Sequence, residues 1–132
     1  MRSPGSSRSP SRPPWFVAAH EVAHQWWGLA VRPGEAAGAR FLAESLAEYS
    51  ALVLLDEQRG ARELARMLAH QETTYLEHRA AGSEAPLAQL GEGGGALAYA
   101  KGSLVLWMLE REIGRERVLA GLREFAGRWR GG

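Results

Sequence analysis

Apolar residues recur at helical spacing through most of the chain and divide it into predicted helices. The spacing predicts helices at about residues 15–31, 40–58, 61–80, 98–113 and 115–128. Stop signals separate them, including the Arg-Pro-Gly sequence at 32–34, Gly60 and Gly114. The pattern contains no strand-like alternation of apolar and polar residues. The predicted fold class is therefore all-α, with about five helices and no internal repeat.

Two of these helices are strongly apolar. The helix at 15–31 has apolar residues on more than one side, so we expect it to be largely buried. The helix at 98–113 contains the densest apolar run of the chain, residues 104–109, and we expect it to be the most buried of all.

The second predicted helix, residues 40–58, carries acids on an otherwise apolar stripe. Glu44 and Glu48 lie four residues apart, and Leu52 and Leu55 continue the same stripe. An unpartnered carboxylate is expensive to bury. Acids in line with leucines therefore indicate that another group pairs with them.

Composition narrows the class of protein. The length of 132 residues suits one domain with a modest core. Lys and Arg number 16 against 15 for Asp and Glu, so the charge suggests neither a nucleic acid nor an anionic membrane as partner. Because there is no cysteine, disulfides and thiolate metal sites are excluded, and histidines and carboxylates remain as ligands.

The sequence contains neither a predicted membrane-spanning segment nor a predicted signal peptide. No run approaches the ~20 apolar residues that span a bilayer, and no apolar stretch of a signal peptide precedes Pro13. We therefore expect a soluble, cytoplasmic chain with no membrane segment. Residues 1–14 are almost entirely Ser, Pro, Arg and Gly, which predicts a disordered tail before a folded unit at 15–132.

Residues 20–24 read His-Glu-Val-Ala-His. Histidines four apart share a helix face, so His20 and His24 can hold one metal ion with Glu21 beside them. Catalytic zinc usually takes three protein ligands, often two histidines and a glutamate. Glu44 is our candidate for the third, because it begins the acidic stripe on the next helix. The alternative is that both histidines lie on the surface and Glu44 is a solvated charge.

The neighbouring acids suggest further roles. Glu21 is the predicted general base, taking a proton from a water that attacks a carbonyl polarised by zinc, and then acting as acid. Glu48 lies one turn beyond Glu44, where it can accept a hydrogen bond from the non-coordinating nitrogen of a ligand histidine. A surface acid paired with a nearby arginine is an equally good interpretation of Glu48.

Residues 20–28, with Trp26-Trp27-Gly28 after the second histidine, and residues 42–49 together resemble the gluzincin zinc aminopeptidases, the family of alanyl aminopeptidase and leukotriene hydrolase. The family pattern is H-E-x-x-H and then an N-E-G-F-A-x-Y-like segment whose Glu is the third ligand. Here Ser45 replaces the usual Gly, as in a bacterial branch reading S-E-S-L-A-E-Y. The resemblance implies one Zn²⁺ ion on His20, His24 and Glu44, and a peptide substrate.

A third segment extends the resemblance to about residues 15–129. Tyr99-Ala100-Lys101-Gly102 is similar to the family's Y-x-K-G segment, in which the tyrosine donates to the oxyanion of the tetrahedral intermediate. The resemblance assigns that role to Tyr99, which composition alone would place in the core or at a rim. Lys101 is interpreted as structural.

One part of the family pattern is missing. Family enzymes have a β-rich lobe before the zinc helix, with a G-x-M-E-N strand that binds the substrate's amino terminus, and nothing similar precedes residue 15. We therefore expect the helical half of a thermolysin-like domain, with the β-rich lobe or a partner chain missing. The tryptophans expected to be uncovered are Trp15, Trp26, Trp27 and Trp107.

The missing lobe leaves two functions open. The first is a zinc-dependent peptidase of the aminopeptidase type. The alternative is a truncated, catalytically incomplete relative that acts as a binding or assembly module, or as part of a peptidase–transporter system like those of fused relatives.

Overall fold

A computed structural model describes residues 12–34, 37–90 and 95–131. They form five α-helices: α1 Pro14–Ala23, α2 Leu46–Arg59, α3 Ala61–Ala80, α4 Gly95–Ile113 and α5 Arg115–Trp129. A π-helical turn, Phe41–Ser45, runs directly into α2, and a 3-10 turn, Leu87–Gln89, precedes α4. The described residues contain a single isolated β-bridge and no strand. The all-α prediction is therefore confirmed.

The first helix is shorter than its apolar pattern predicts, and its predicted end at residue 31 is wrong. α1 ends at Ala23, after which the chain folds into a tight turn. Within the turn the Gly28 N–H donates to the Val31 carbonyl at 2.9 Å, and the Val31 N–H donates to the Trp26 carbonyl at 2.7 Å. Gly28 has φ +117°, a conformation that other residues rarely adopt. This turn replaces the second half of the predicted helix.

The core lies on both sides of α2. Phe16 of α1, Leu52 of α2 and Met67 of α3 belong to one buried cluster. A second cluster, which contacts α5, includes Trp27, Leu46, Tyr49, Leu106 and Val118. Because α2 contacts α1, α3 and α4, it holds the other helices in fixed positions around the acids at its start.

The prediction that the helix at 98–113 is the most buried of the helices is wrong. Leu106 is buried, but Val105, Met108 and Leu109 are between 43% and 59% exposed. α4 packs on α2, α3, α5 and the π-helical turn with one side only. Among the described residues nothing covers the other side, so a dense apolar run does not produce a buried helix.

The expectation for the tryptophans holds only in part. Trp26 is 51% exposed, as expected, whereas Trp27 is 7% exposed. The Trp27 ring stacks on Phe125 of α5 at 6.5 Å between centroids, and its N–H donates to Ser50 Oγ at 3.1 Å. Trp27 is therefore part of the core.

Two predicted segments fall partly outside the described residues. Of the predicted disordered tail, residues 1–11 lie outside them, and α1 begins at Pro14. Residues 91–94, in the glycine-rich stretch between the predicted helices at 61–80 and 98–113, also lie outside. None of the helices in the described ranges is long and apolar enough to cross a membrane.

Candidate metal centre

α1 places two imidazole rings against each other. His20 and His24 lie one turn apart, with 3.0 Å between their Nε2 atoms and 4.7 Å between ring centroids. His20 is 1% exposed. The shared face predicted from the four-residue spacing is therefore the buried face of α1.

The π-helical turn brings a carboxylate to the same point. Glu44 Oε2 lies 3.3 Å from His20 Nε2, and Glu44 Oε1 lies 3.2 Å from His24 Nε2. A single π-helical turn is a common local distortion at functional sites, because it redirects side chains relative to the helix that follows. The structure thus brings together the three residues that the sequence nominated as metal ligands.

The hydrogen bonds of the two histidines leave their Nε2 lone pairs facing inward. His20 Nδ1 lies 2.8 Å from Glu48 Oε1, and His24 Nδ1 lies 2.8 Å from the Trp27 carbonyl oxygen. A carboxylate or carbonyl oxygen can only accept, so both Nδ1 atoms carry the proton. Both Nε2 atoms can then bind a metal.

The spacing of the three ligand atoms fits zinc. The two Nε2 atoms lie 3.0 Å apart, and each has one Glu44 oxygen near it, Oε2 at 3.3 Å from His20 and Oε1 at 3.2 Å from His24. Zinc–nitrogen and zinc–oxygen bonds of about 2.0 Å in tetrahedral geometry place neighbouring ligands about 3.3 Å apart. Two neutral imidazoles and a carboxylate are also a common ligand set for a catalytic zinc with a fourth, open position.

The site attracts positive charge. Burial opposes protonation of His20, but hydrogen bonds with Glu44 and Glu48 and their negative charges outweigh it and raise the pKa of His20 to about 9. The hydrogen bond with His20 lowers the pKa of Glu44 to about 2. The negative charges of Glu44 and Glu48, which favour a charged imidazole, would equally favour a cation bound by His20 and Glu44.

Glu21 lies at the edge of this group. Its carboxylate is within 4.8 Å of the ligand atoms of both histidines, and the residue is exposed. The contacts of Glu44 with the same rings are much closer, at 3.2 and 3.3 Å. Distance therefore favours Glu44 as the ligand and leaves Glu21 free to exchange a proton with water.

Tyr99 of α4 reaches the site from the opposite side. Its ring centroid lies 5.1 Å from that of His20. Burial and the interaction of its hydroxyl with the Glu44 carboxylate raise the pKa of Tyr99 to about 12. The phenol consequently keeps its proton at neutral pH and can serve as a hydrogen-bond donor.

Two close contacts hold α4 against the π-helical turn. Ser45 Oγ donates to the Ala98 carbonyl at 2.7 Å. A Cβ atom added to Gly102 would lie 1.9 Å from Ser45 Oγ, so only glycine fits at that position. The glycine of the Y-x-K-G segment therefore lets the helix of Tyr99 approach the turn of Glu44.

Lys101 in the same segment has a structural role, as interpreted from the sequence. Its Nζ donates to Glu84 Oε1 at 2.6 Å and to the Ala85 carbonyl at 2.8 Å. Tyr75 of α3 donates to the same carboxylate. These contacts fasten the segment before α4 to the body of the protein.

Glu48 has both of the partners that the sequence suggested, a ligand histidine and an arginine, but it is buried and is not a surface acid. The residue is fully buried, and its Oε1 accepts from His20 and, at 2.6 Å, from Arg12 Nη2. Its Oε2 accepts from Gln71 Nε2 at 2.6 Å. Sequence reasoning missed Arg12, which falls in the predicted tail, and Gln71, which lies on a charged helix with no motif around it.

Comparison with known proteins identifies the protein family to which the chain belongs. The family model described as "Peptidase family M1 domain" matches residues 5–131. No curated protein and no solved structure matches the chain. The chain belongs to peptidase family M1, which confirms the resemblance to the gluzincin aminopeptidase family. It is therefore a peptidase-family domain of the metallopeptidase type, whose members act on peptides and generally depend on zinc.

Proposed function

We propose that the chain carries the zinc site of an aminopeptidase-type metallopeptidase, with His20, His24 and Glu44 as the ligands. The convergence of the two Nε2 atoms and the Glu44 carboxylate, with contacts of 3.0 to 3.3 Å and both Nδ1 protons directed away, is the observation that supports the proposal most strongly. Family membership supports the peptidase chemistry.

Glu21 is the general base in this proposal. When bound, zinc supplies Lewis acidity toward the substrate carbonyl and makes water a nucleophile near neutral pH. Glu21 takes the proton of the attacking water and then delivers it to the leaving amine. Its position beside the ligands supports this role, because its exposed carboxylate can reach water without being held by the buried network.

Tyr99 is the proposed oxyanion donor. Its phenol lies beside His20 and interacts with Glu44, and because it keeps its proton it can donate a hydrogen bond to a substrate oxygen as negative charge develops there. We expect Tyr99→Phe to lower kcat by about 10²- to 10³-fold, the usual cost of losing one oxyanion donor. Zinc content should stay at one ion per chain.

The main test is Glu21→Gln. We expect hydrolysis of an aminoacyl anilide to fall by about 10²- to 10⁴-fold, the usual contribution of a general base, while the variant keeps one zinc per chain. Glu72→Gln is the matched control, because Glu72 is an exposed acid on α3. Absence of zinc from the reconstituted wild-type chain would contradict the proposal, as would hydrolysis that Glu21→Gln leaves unchanged.

A second candidate is a catalytically incomplete module for binding or assembly. Exposed apolar side chains on α1 and the following turn favour it, since Val22, Trp26 and Leu29 are each more than half exposed. In that case the chain would bind zinc, yet wild type and Glu21→Gln would hydrolyse the anilide at the same background rate.

A further inference from the structure

Gln71 is an exception on its own helix. α3 is a 20-residue helix with many charged side chains, and Met67 and Gln71 are its two buried residues. Met67 belongs to an apolar cluster with Phe16 and Leu52. Gln71 is 2% exposed and carries a polar amide into the interior. Burial of an amide is unfavourable unless it forms hydrogen bonds, so its partner identifies its role.

The partner of Gln71 is the buried carboxylate behind the metal centre. Gln71 Nε2 donates to Glu48 Oε2 at 2.6 Å, and Glu48 Oε1 accepts from His20 Nδ1 at 2.8 Å. Each carboxylate oxygen therefore has a donor. A rotation of the carboxylate that moved Oε1 away from His20 would also break the bond to Gln71.

Arg12 cannot replace Gln71 in this arrangement. Arg12 Nη2 donates to Glu48 Oε1, the oxygen that His20 also uses, and the Arg12 side chain is 24% exposed. Gln71 instead holds the other oxygen and does not compete with the histidine. It is also neutral, so it adds no positive charge beside a site for a cation.

We propose that Gln71 is a positioning residue for the metal centre: it fixes the Glu48 carboxylate, which in turn holds the His20 ring with Nε2 directed at His24 and Glu44. The inference rests on the proposed zinc site. Groups that hydrogen-bond to ligand histidines typically change metal affinity 10- to 100-fold when removed. Gln71 acts one bond further away, and its effect should be smaller.

The test measures zinc affinity of the 132-residue chain by competition with a chromophoric chelator. Gln71→Met keeps the length of the side chain and removes the donor. We expect it to raise the zinc Kd by about three- to tenfold, below the range for direct contacts of a ligand histidine. The visible absorption bands of the Co²⁺-substituted protein should also shift, because they report ligand geometry.

Met67→Ala is the matched control. Met67 is buried one turn before Gln71 and contacts apolar residues instead of Glu48. The control should lower the free energy of unfolding while leaving the zinc Kd and the Co²⁺ spectrum as in wild type. If destabilisation of α3 were the cause, the zinc Kd and the Co²⁺ spectrum would instead change in both Gln71→Met and Met67→Ala.

A double-mutant cycle with Glu48→Leu tests whether Gln71 acts through Glu48. In that background Gln71→Met should change the zinc Kd by less than about twofold, because coupled residues are not additive. Equal effects of Gln71→Met in both backgrounds would overturn the inference, as would a wild-type Kd and Co²⁺ spectrum for the single variant. If Glu48→Leu does not fold, the single variant's Kd and spectrum decide. A wild-type chain that binds no zinc would overturn both this inference and the proposed function.

Discussion

The inner face of α1 buries a histidine together with Phe16 and Ala23, whereas its outer face exposes apolar side chains. On the inner face His20 is 1% exposed and lies among the buried acids Glu44 and Glu48. On the outer face Val22 is 61% exposed, and Trp26 just beyond the helix is 51% exposed. Soluble helices ordinarily bury apolar residues and expose polar ones. A histidine that is buried among acids therefore marks the inner face as functional.

The inner and outer faces of α1 also differ in how many of their groups contact other described residues. The inner face receives hydrogen-bond partners from the π-helical turn and from Glu48 of α2, which in turn accepts from Gln71 of α3. The outer face borders a groove of about 660 Å³, and the apolar side chains lining it from α1, the following turn and α5 include Ala19, Val22, Trp26, Leu122 and Ala126. Among the described residues, Arg12 Nε is the one buried side-chain polar atom without a hydrogen-bond partner. Several large apolar side chains, by contrast, stay in contact with solvent.

The largest expected effect comes from breaking the inner face at a ligand. His20→Ala removes one of three ligand atoms, and we expect zinc in the dialysed protein to fall from one ion per chain to near zero by atomic absorption. His70→Ala, which changes a half-buried histidine on α3, should keep one ion per chain. Retention of stoichiometric zinc by His20→Ala would contradict the ligand assignment.

A steric change tests how closely α4 must approach the inner face. The new Cβ of Gly102→Ala would lie 1.9 Å from Ser45 Oγ and 2.5 Å from Ser45 Cβ. Overpacking of this kind costs about 1–3 kcal/mol, and occasionally more. We therefore expect Gly102→Ala to lower the free energy of unfolding, measured by urea denaturation, by about 3 kcal/mol or more.

Rescue and control variants make this steric test specific. Adding Ser45→Gly should restore most of the stability, because the nearest remaining Ser45 atom is Cα at 3.5 Å. Gly121→Ala has nothing within 4 Å, and it should stabilise α5 by about 0.5–1 kcal/mol. Failure of Ser45→Gly to rescue would show that the clash is not the cause.

The turn after α1 contributes to both faces, and Gly28→Ala tests it. Forcing alanine to φ +117° should cost about 1–3 kcal/mol of unfolding free energy. Zinc affinity should also fall, since the Trp27 carbonyl that holds His24 would move. Gly60→Ala is the matched control: its φ of +89° imposes a similar strain between α2 and α3, away from the site. If Gly28→Ala and Gly60→Ala weakened zinc binding equally, the effect could not be assigned to the Trp27 carbonyl.

The smallest expected effect is on the outer face. Val22→Gln should change the unfolding free energy by no more than about 0.5 kcal/mol, because an exposed side chain loses little on replacement. Fluorescence of a dye that binds apolar surface should fall, because Val22 lines the groove. Leu76→Gln changes a 50% exposed leucine on α3 outside the groove lining and should leave the fluorescence unchanged. If Val22→Gln lowered the unfolding free energy by clearly more than about 0.5 kcal/mol, Val22 would belong to the core.

Local spacing predicted most of the helices and the main geometry of the site. The bounds of α3 are those predicted, and the four-residue spacing placed His20 and His24 on one face. Glu44 could be found because buried acids need partners, and its stripe on the next helix indicated one. These features depend on helical periodicity, which can be recognised from a single sequence.

Features that depend on distant partners could not be predicted in the same way. The apolar run at 104–109 does not reveal whether anything covers it, and Val105 and Met108 are exposed. Gln71 carries no local signal, because an amide on a charged helix becomes part of a site only through a partner 23 residues away. The early end of α1 depends on the turn around Gly28, which apolar periodicity does not register.

The two histidines differ in how they are held, and this difference affects their tolerance to genetic change. His24 donates to the carbonyl of Trp27, an atom that every amino acid at position 27 would supply. His20 depends on the side chain of Glu48, which a single substitution can remove. Mutational drift should therefore impair the His20 half of the centre first, and a degenerate copy of the gene could keep a correctly oriented His24 long after it had lost the metal.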